Sequence, residues 1–158
     1  MNDKNFTTSF VLDQSPAEFF EAITNVRGWW SQEIEGDTDR LGAVFYYHYQ
    51  DIHRATCKIT ELVRGKKVVW HVLQNYFNFT KDQTEWTNTD IVFEITKKGN
   101  HTKLTFTHVG LTPTHECYPA CKDGWTTYMD SLKNLIASGK GQPNVGEAIT
   151  DSEKALSE

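Results

Sequence analysis

The stretch that decides the fold is ECYPACKDGWTTYMDSLKNLIASG, residues 116–139. Its large apolar residues recur every three or four positions, which keeps them on one face of an α-helix. Pro119 suits the first helical turn, and Gly139 suits a left-handed residue just after the last turn. The stretch therefore predicts a helix of roughly 30 Å, about the width of a small domain. The apolar face consists of Cys117, Cys121, Trp125, Tyr128, Leu132, Leu135 and Ile136.

Most of the chain before this helix has the two-residue period of β-strands. Alternation in successive strands is typical of an antiparallel sheet with one buried face. A long helix that follows such strands is expected to lie across the buried face, which makes the fold class α+β. Strands are predicted at residues 6–13, 44–50, 54–63, 68–73, 89–97 and 102–108, with a shorter candidate at 33–36.

Two short helices are expected directly after the first strand. The first begins clearly, because Ser15 is a good N-cap, Pro16 suits the first helical position and Glu18 completes a capping box. The second is a helical turn in NVRGWWS, residues 25–31, which carries the adjacent Trp29 and Trp30.

The composition bounds the possible partners. The 158 residues carry a net charge of −5 and no block of Lys or Arg, so we expect no nucleic-acid partner. No apolar run approaches the ~18 residues of a membrane-spanning helix. The N-terminus lacks the apolar core of a signal peptide, and an odd number of cysteines cannot pair completely. These features predict a cytoplasmic protein with reduced thiols and no membrane span.

Four stretches resemble a known family. They are NVRGWWS at 25–31, EWT at 85–87, FTHVGL at 106–111, and GW at 124–125 followed by SLKNLIASGKG at 131–141. The chain is similar to the START-like (SRPBCC) superfamily, and within it to small bacterial single-domain members of the heat-shock-protein-90 ATPase activator homologue family. The resemblance implies a helix-grip fold, in which a curved antiparallel sheet of about six to seven strands wraps around the C-terminal helix. It predicts one domain at 1–142 and a polar tail at 143–158.

The resemblance also implies a function. Members of the family are described as lipid- or hydrophobic-ligand-binding domains, so the chain is expected to bind a small hydrophobic or amphipathic ligand between sheet and helix, without a cofactor. One alternative is an interaction module that regulates a chaperone ATPase, although the chain lacks the second domain that larger eukaryotic relatives use for that purpose. Another alternative is a small enzyme that uses the same cavity.

The predicted site is a cavity walled by aromatic rings. Trp29 and Trp30 are expected near its entrance, and the polar groups of Tyr47, Tyr49 and His108 are expected to orient the ligand. The alternative is that the same rings pack into a solid core. The predicted ligand-binding residues are Trp29, Trp30, Phe45, Tyr47, Tyr49, Trp70, Phe93, Phe106, His108, Trp125, Tyr128 and Met129.

The candidate metal ligands are His108, His115, Cys117 and Cys121. Zinc accepts such nitrogen and sulfur ligands. However, no CxxC pair is present, and a reduced cysteine often behaves as a small buried apolar residue. The sequence therefore predicts no metal.

The candidate catalytic residues are His53, His108, Glu61 and Glu85, whose side chains can act as acids or bases in a pocket. The chain has no nucleophile elbow, phosphate loop, HExxH or dinucleotide-binding motif. Glu85, beside Trp86, can equally cap or order a loop. The sequence therefore predicts no catalytic residue.

Overall fold

A computed structural model describes residues 5–32, 34–49, 53–77, 81 and 83–143, with the backbone alone at positions 48 and 49. These residues form six strands, two α-helices and one 3₁₀ turn. In order they are β1 (Phe6–Leu12), α1 (Pro16–Thr24), the 3₁₀ turn Val26–Gly28, β2 (Val44–Tyr49), β3 (His53–Val63), β4 (Lys67–Phe77), β5 (Asp90–Lys98), β6 (His101–Val109) and α2 (Tyr118–Ser138).

The six strands form one antiparallel sheet in the order β1-β6-β5-β4-β3-β2. The long helix α2 covers its buried face, so the helix-grip α+β fold is confirmed. The short strand expected at 33–36 is reduced to one isolated bridge between Glu35 and Tyr46, and position 33 lies outside the described residues.

Strand β4 is longer than the sequence predicted. Its pairing with β5 stops at His71, while its pairing with β3 continues to Phe77. The last residues of β4 therefore extend beyond β5. The segment before β5 covers this end, where the Phe77 backbone N–H donates to the carbonyl of Gln83 at 2.9 Å.

Both α-helices have the predicted end signals. At the start of α1 the Ser15 hydroxyl accepts from the Glu18 N–H at 3.2 Å, and the Glu18 carboxylate accepts from the Ser15 N–H. At the end of α2, Gly139 adopts φ 82°, which favours glycine because it has no Cβ. Between its ends α2 buries the predicted apolar face, with Leu132 fully buried against the core.

No helix in the described part of the chain is both long and apolar enough to cross a bilayer. Residues 144–158 lie outside the described residues, so the division into a domain and a polar tail stays a prediction.

Candidate functional site

Most of the predicted rings do come together between the sheet and α2, and they pack closely. Trp30 stacks on Tyr47 with ring centroids 4.6 Å apart and on Trp70 at 5.9 Å. Phe45 and Phe93 meet the Trp70 ring edge to face at 5.0 and 4.8 Å. These contacts fill the centre of the interface with side chains. We call this cluster the aromatic core: Trp29, Trp30, Phe45, Tyr47, Trp70, Phe93 and Phe106.

Trp29 and Trp30 lie at the centre of the protein and not at an entrance. Both are fully buried. The 3₁₀ turn before them directs the chain inward, and the Trp29 indole N–H donates to the carbonyl of Ile23 at 3.2 Å. Met129 is also buried, whereas the side chain of Tyr49 lies outside what the structure describes.

A void remains beside the first half of α2. It has a volume of about 20 Å³, enough for about one water molecule, whereas pockets for small ligands usually hold about 300–1,000 Å³. Two of its lining residues, Trp125 and Tyr128, belong to the predicted site, and sequence reasoning missed the other six as ligand contacts. We call it the α2 pocket, lined by His53, Phe77, Ala120, Trp86, Cys121, Gly124, Trp125 and Tyr128.

The void follows from small residues on α2. Ala120 and Gly124 give this part of the helix little bulk, and a glycine inside a helix costs about 1 kcal/mol relative to alanine. The opposite wall is formed by Phe77 and Trp86. Trp86 is fixed because its indole N–H donates to Cys121 Sγ at 3.3 Å.

One hydrogen-bonded chain joins the pocket wall to the sheet. The Thr89 hydroxyl donates to the Trp86 carbonyl at 2.5 Å, and it can then accept at 2.7 Å from His108 Nε2. His108 Nδ1 accepts from the Trp125 indole N–H at 3.1 Å. This arrangement requires the neutral Nε2–H form of His108. We call the four residues the His108 relay.

Burial also favours the neutral form of His108. Desolvation, with a smaller contribution from the charge of His115, lowers the pKa of His108 from 6.5 to about 3. Both ring nitrogens are engaged inside the protein. His108 therefore links α2 to the sheet, and it does so as an uncharged ring.

Cys57 and Cys117 are neutral thiols. The hydrogen bond with Cys121, together with burial, raises the pKa of Cys117 far above its usual range, and burial raises the pKa of Cys57 to about 12. Within the described ranges, no three His, Cys, Asp or Glu side chains gather as metal ligands.

The candidate catalytic residues lie in different parts of the protein. His53 lines the pocket, with its ring 5.0 Å from that of Trp86. Glu61 is exposed and lies 3.7 Å from the Lys67 ammonium. The Glu85 carboxylate accepts from the backbone N–H groups of Glu116 and Cys117, each at 2.9 Å, so it anchors the start of α2.

Comparisons with known proteins agree with this architecture. The family model described as activator of Hsp90 ATPase homolog 1-like protein matches residues 13–137. The solution structure of the Aha1 dimer from Colwellia psychrerythraea is 25% identical, with a TM-score of 0.70 over 87% of this chain and 99% of that chain.

Two further solved structures share the fold at 15% identity. A protein from Mesorhizobium loti gives a TM-score of 0.67 over 84% of this chain and 96% of that one. A protein from Staphylococcus saprophyticus gives 0.66 over 90% and 98%. Among curated proteins, none matches the sequence significantly.

Proposed function

The chain belongs to the family of activator of Hsp90 ATPase homologue 1-like proteins, and on that premise we propose that it binds a small apolar or amphipathic molecule in the α2 pocket. The support is the void itself. Protein interiors are close-packed, and this void is a place in the interface that side chains leave unfilled. Here the void lies in the sheet–helix interface, where Ala120 and Gly124 face aromatic walls.

A ligand needs more room than the void provides, so one wall must move. Trp125 is held by the His108 relay and by Phe106, whose ring centroid lies 4.7 Å away. The Tyr128 ring makes longer contacts, at 6.0 Å to Trp30 and 6.2 Å to Trp125. In this proposal the Tyr128 ring turns outward when the ligand enters.

The predicted ligand-binding residues then have two different roles. Trp125 and Tyr128 contact the ligand directly. The rings of the aromatic core form the rigid wall behind them and exclude water from the pocket. Ligand binding comes from burial of apolar surface, at about 25 cal/mol per Å².

The test is a titration with 2-acetylnaphthalene, followed by the indole N–H signals in NMR spectra. We expect the signals of Trp86 and Trp125 to shift. Gly124→Ala adds one methyl group to the void and should weaken binding about fourfold, the value of one displaced methylene. The matched control is Thr127→Ala, which changes an exposed position of α2 and should leave the affinity unchanged.

Two results would count against the proposal. One is the absence of any indole shift at the solubility limit of the probe. The other is equal affinity of wild type and Gly124→Ala, which would move the binding site away from the α2 pocket.

A second candidate is regulation of a chaperone ATPase, which the family description and the name of the Colwellia relative favour. Exposed large apolar side chains of this protein are spread over several strands and turns, as Val11, Leu41 and Tyr46 illustrate. Scattered exposed apolar residues do not indicate a docking surface. We therefore expect no stimulation of the ATPase of an Hsp90-type chaperone. Stimulation by wild type and Gly124→Ala alike would support the interaction function instead.

A further inference from the structure

Two indole N–H groups of the aromatic core lack an acceptor within the described part of the chain. They are Trp30 Nε1 and Trp70 Nε1, and both side chains are fully buried. A buried donor without a partner destabilises the folded protein, because the hydration that it loses is not replaced. The other three tryptophans each donate to a partner: Trp29 to Ile23 O, Trp86 to Cys121 Sγ and Trp125 to His108 Nδ1.

Of these two donors, Trp30 is the one next to the α2 pocket. Its ring lies 5.5 Å from that of Trp125 and 6.0 Å from that of Tyr128, and both of those residues line the pocket. The ring neighbours of Trp70 do not line the pocket: they are Trp29, Trp30, Phe45 and Phe93. A molecule that displaces the Tyr128 ring therefore meets Trp30 first.

The surroundings of Trp30 favour a neutral acceptor over an anion. Among the described residues, the lining of the α2 pocket includes no Lys or Arg. The described ring partners of Trp30 are all uncharged aromatic side chains: Trp29, Tyr47, Trp70, Trp125 and Tyr128. Burying a carboxylate without a cation is expensive, because the lost hydration is not replaced. A carbonyl oxygen accepts the same hydrogen bond without that cost.

Resting on the proposed function, we propose that the ligand of the α2 pocket is an apolar molecule with a ketone, aldehyde or ester carbonyl, and that Trp30 Nε1–H donates to this oxygen. The residues that the structure describes offer the Trp30 donor no acceptor, and in this proposal the ligand supplies one. Trp30 is thus the specificity-determining residue, whereas the pocket walls provide the apolar burial.

The experiment compares 2-acetylnaphthalene with 2-isopropenylnaphthalene, which has the same shape but carries CH₂ in place of the carbonyl oxygen. Wild type should bind the ketone about three- to tenfold more tightly, as one hydrogen bond predicts. In Trp30→Phe the two probes should bind within about twofold of each other. The Trp30 indole proton should move downfield with the ketone only.

Two matched variants control for the loss of ring size. Trp29→Phe removes a neighbouring indole whose N–H already has an acceptor, and Trp70→Phe removes the second unpartnered donor. Both should keep the preference for the ketone. Chemical denaturation of each variant verifies that it is folded at the titration temperature.

The outcomes separate this inference from the proposed function. If neither probe binds to wild type, both fail. If both probes bind equally well to wild type, or if Trp30→Phe keeps the preference, the pocket binds ligands but the role of Trp30 is wrong. Tighter binding of 2-naphthoate than of the ketone would overturn the choice of a neutral acceptor.

Discussion

The aromatic core and the α2 pocket lie against the same helix but are packed differently. In the core, large rings face large rings, and the Trp30 and Tyr47 centroids are 4.6 Å apart. In the pocket, aromatic side chains face Ala120 and Gly124, and a void of about 20 Å³ remains. The same sheet–helix interface is therefore filled by side chains at one place and leaves a void at another. The difference depends on the size of a few residues on the helix.

The largest expected effect tests whether the aromatic core is solid. Trp70→Ala removes a fully buried ring with four aromatic neighbours and should lower the free energy of unfolding by about 3–5 kcal/mol. Chemical denaturation measures the loss. Leu73→Ala, at a 38% exposed position of the same strand, should cost much less. A loss below about 1.5 kcal/mol for Trp70→Ala would show that the core is loosely packed.

The next effect is a pH dependence at the boundary between core and pocket. His108 has a pKa of about 3 in the folded protein against 6.5 as its ordinary value, so below pH 6.5 the unfolded chain binds more protons. Its contribution is fully present above pH 6.5 and is lost as the pH falls toward 3. The loss between pH 7 and pH 4 should amount to about 3 kcal/mol.

Chemical denaturation of wild type and His108→Gln at several pH values measures this contribution. His108→Gln should be less stable at pH 7 but should lose less of its stability on acidification. Thr127→Ala changes an exposed position without an ionisable group and should keep the wild-type slope. Parallel pH profiles for wild type and His108→Gln would contradict the assignment.

The sequence predicts the aromatic core better than it predicts the α2 pocket. The fold follows from local signals: the 3.6-residue period of 116–139, the capping box at Ser15 and the alternation of the strands. The rings of the aromatic core were also predicted to converge, because alternation shows which side chains face inward. Alternation does not show how tightly they pack, so the cavity was expected where the rings in fact fill the space.

The α2 pocket depends on features that alternation cannot reveal. Phe77 lies in the part of β4 that extends beyond β5, and only tertiary pairing sets that length. The sequence places Trp86 beside Glu85 in a loop, whereas in the structure its indole N–H donates to Cys121 Sγ, 35 residues further along the chain. One signal of the pocket was present in the sequence: two small residues, Ala120 and Gly124, lie between Cys117 and Tyr128 on the helix.

A smaller effect separates the two ends of α2. Glu85→Ala removes the acceptor of the Glu116 and Cys117 N–H groups and should cost about 1–2 kcal/mol, as loss of a helix cap does. Hydrogen exchange should accelerate over residues 117–124, beside the pocket, and not over 129–136. Glu94→Ala, on the exposed face of β5, serves as the control. Uniform acceleration along α2 would contradict a local role.

The smallest effect compares two glycines. Gly124→Ala should raise the free energy of unfolding by about 0.5–1 kcal/mol, because alanine favours the helix and its methyl group enters the void. Gly28→Ala should instead destabilise by about 1 kcal/mol, the lower end of the cost of overpacking, because the nearest atom is the end of the flexible Asn25 side chain. There a Cβ would lie 2.6 Å from Asn25 Nδ2 and 3.1 Å from Leu135 Cδ2. Chemical denaturation measures both changes. If the free energy of unfolding changed in the same direction in both variants, the two glycines would not differ in packing.

In the proposed function, the His108 relay also limits how large the ligand can be. It ties Trp125 of α2 to β6 and to the segment that carries Trp86, so separating these two walls of the pocket breaks at least one of three hydrogen bonds. The proposed function therefore places the extra room on the side of Tyr128. If the α2 pocket binds a ligand as proposed, we expect it to favour ligands no larger than the space that one tyrosine ring vacates.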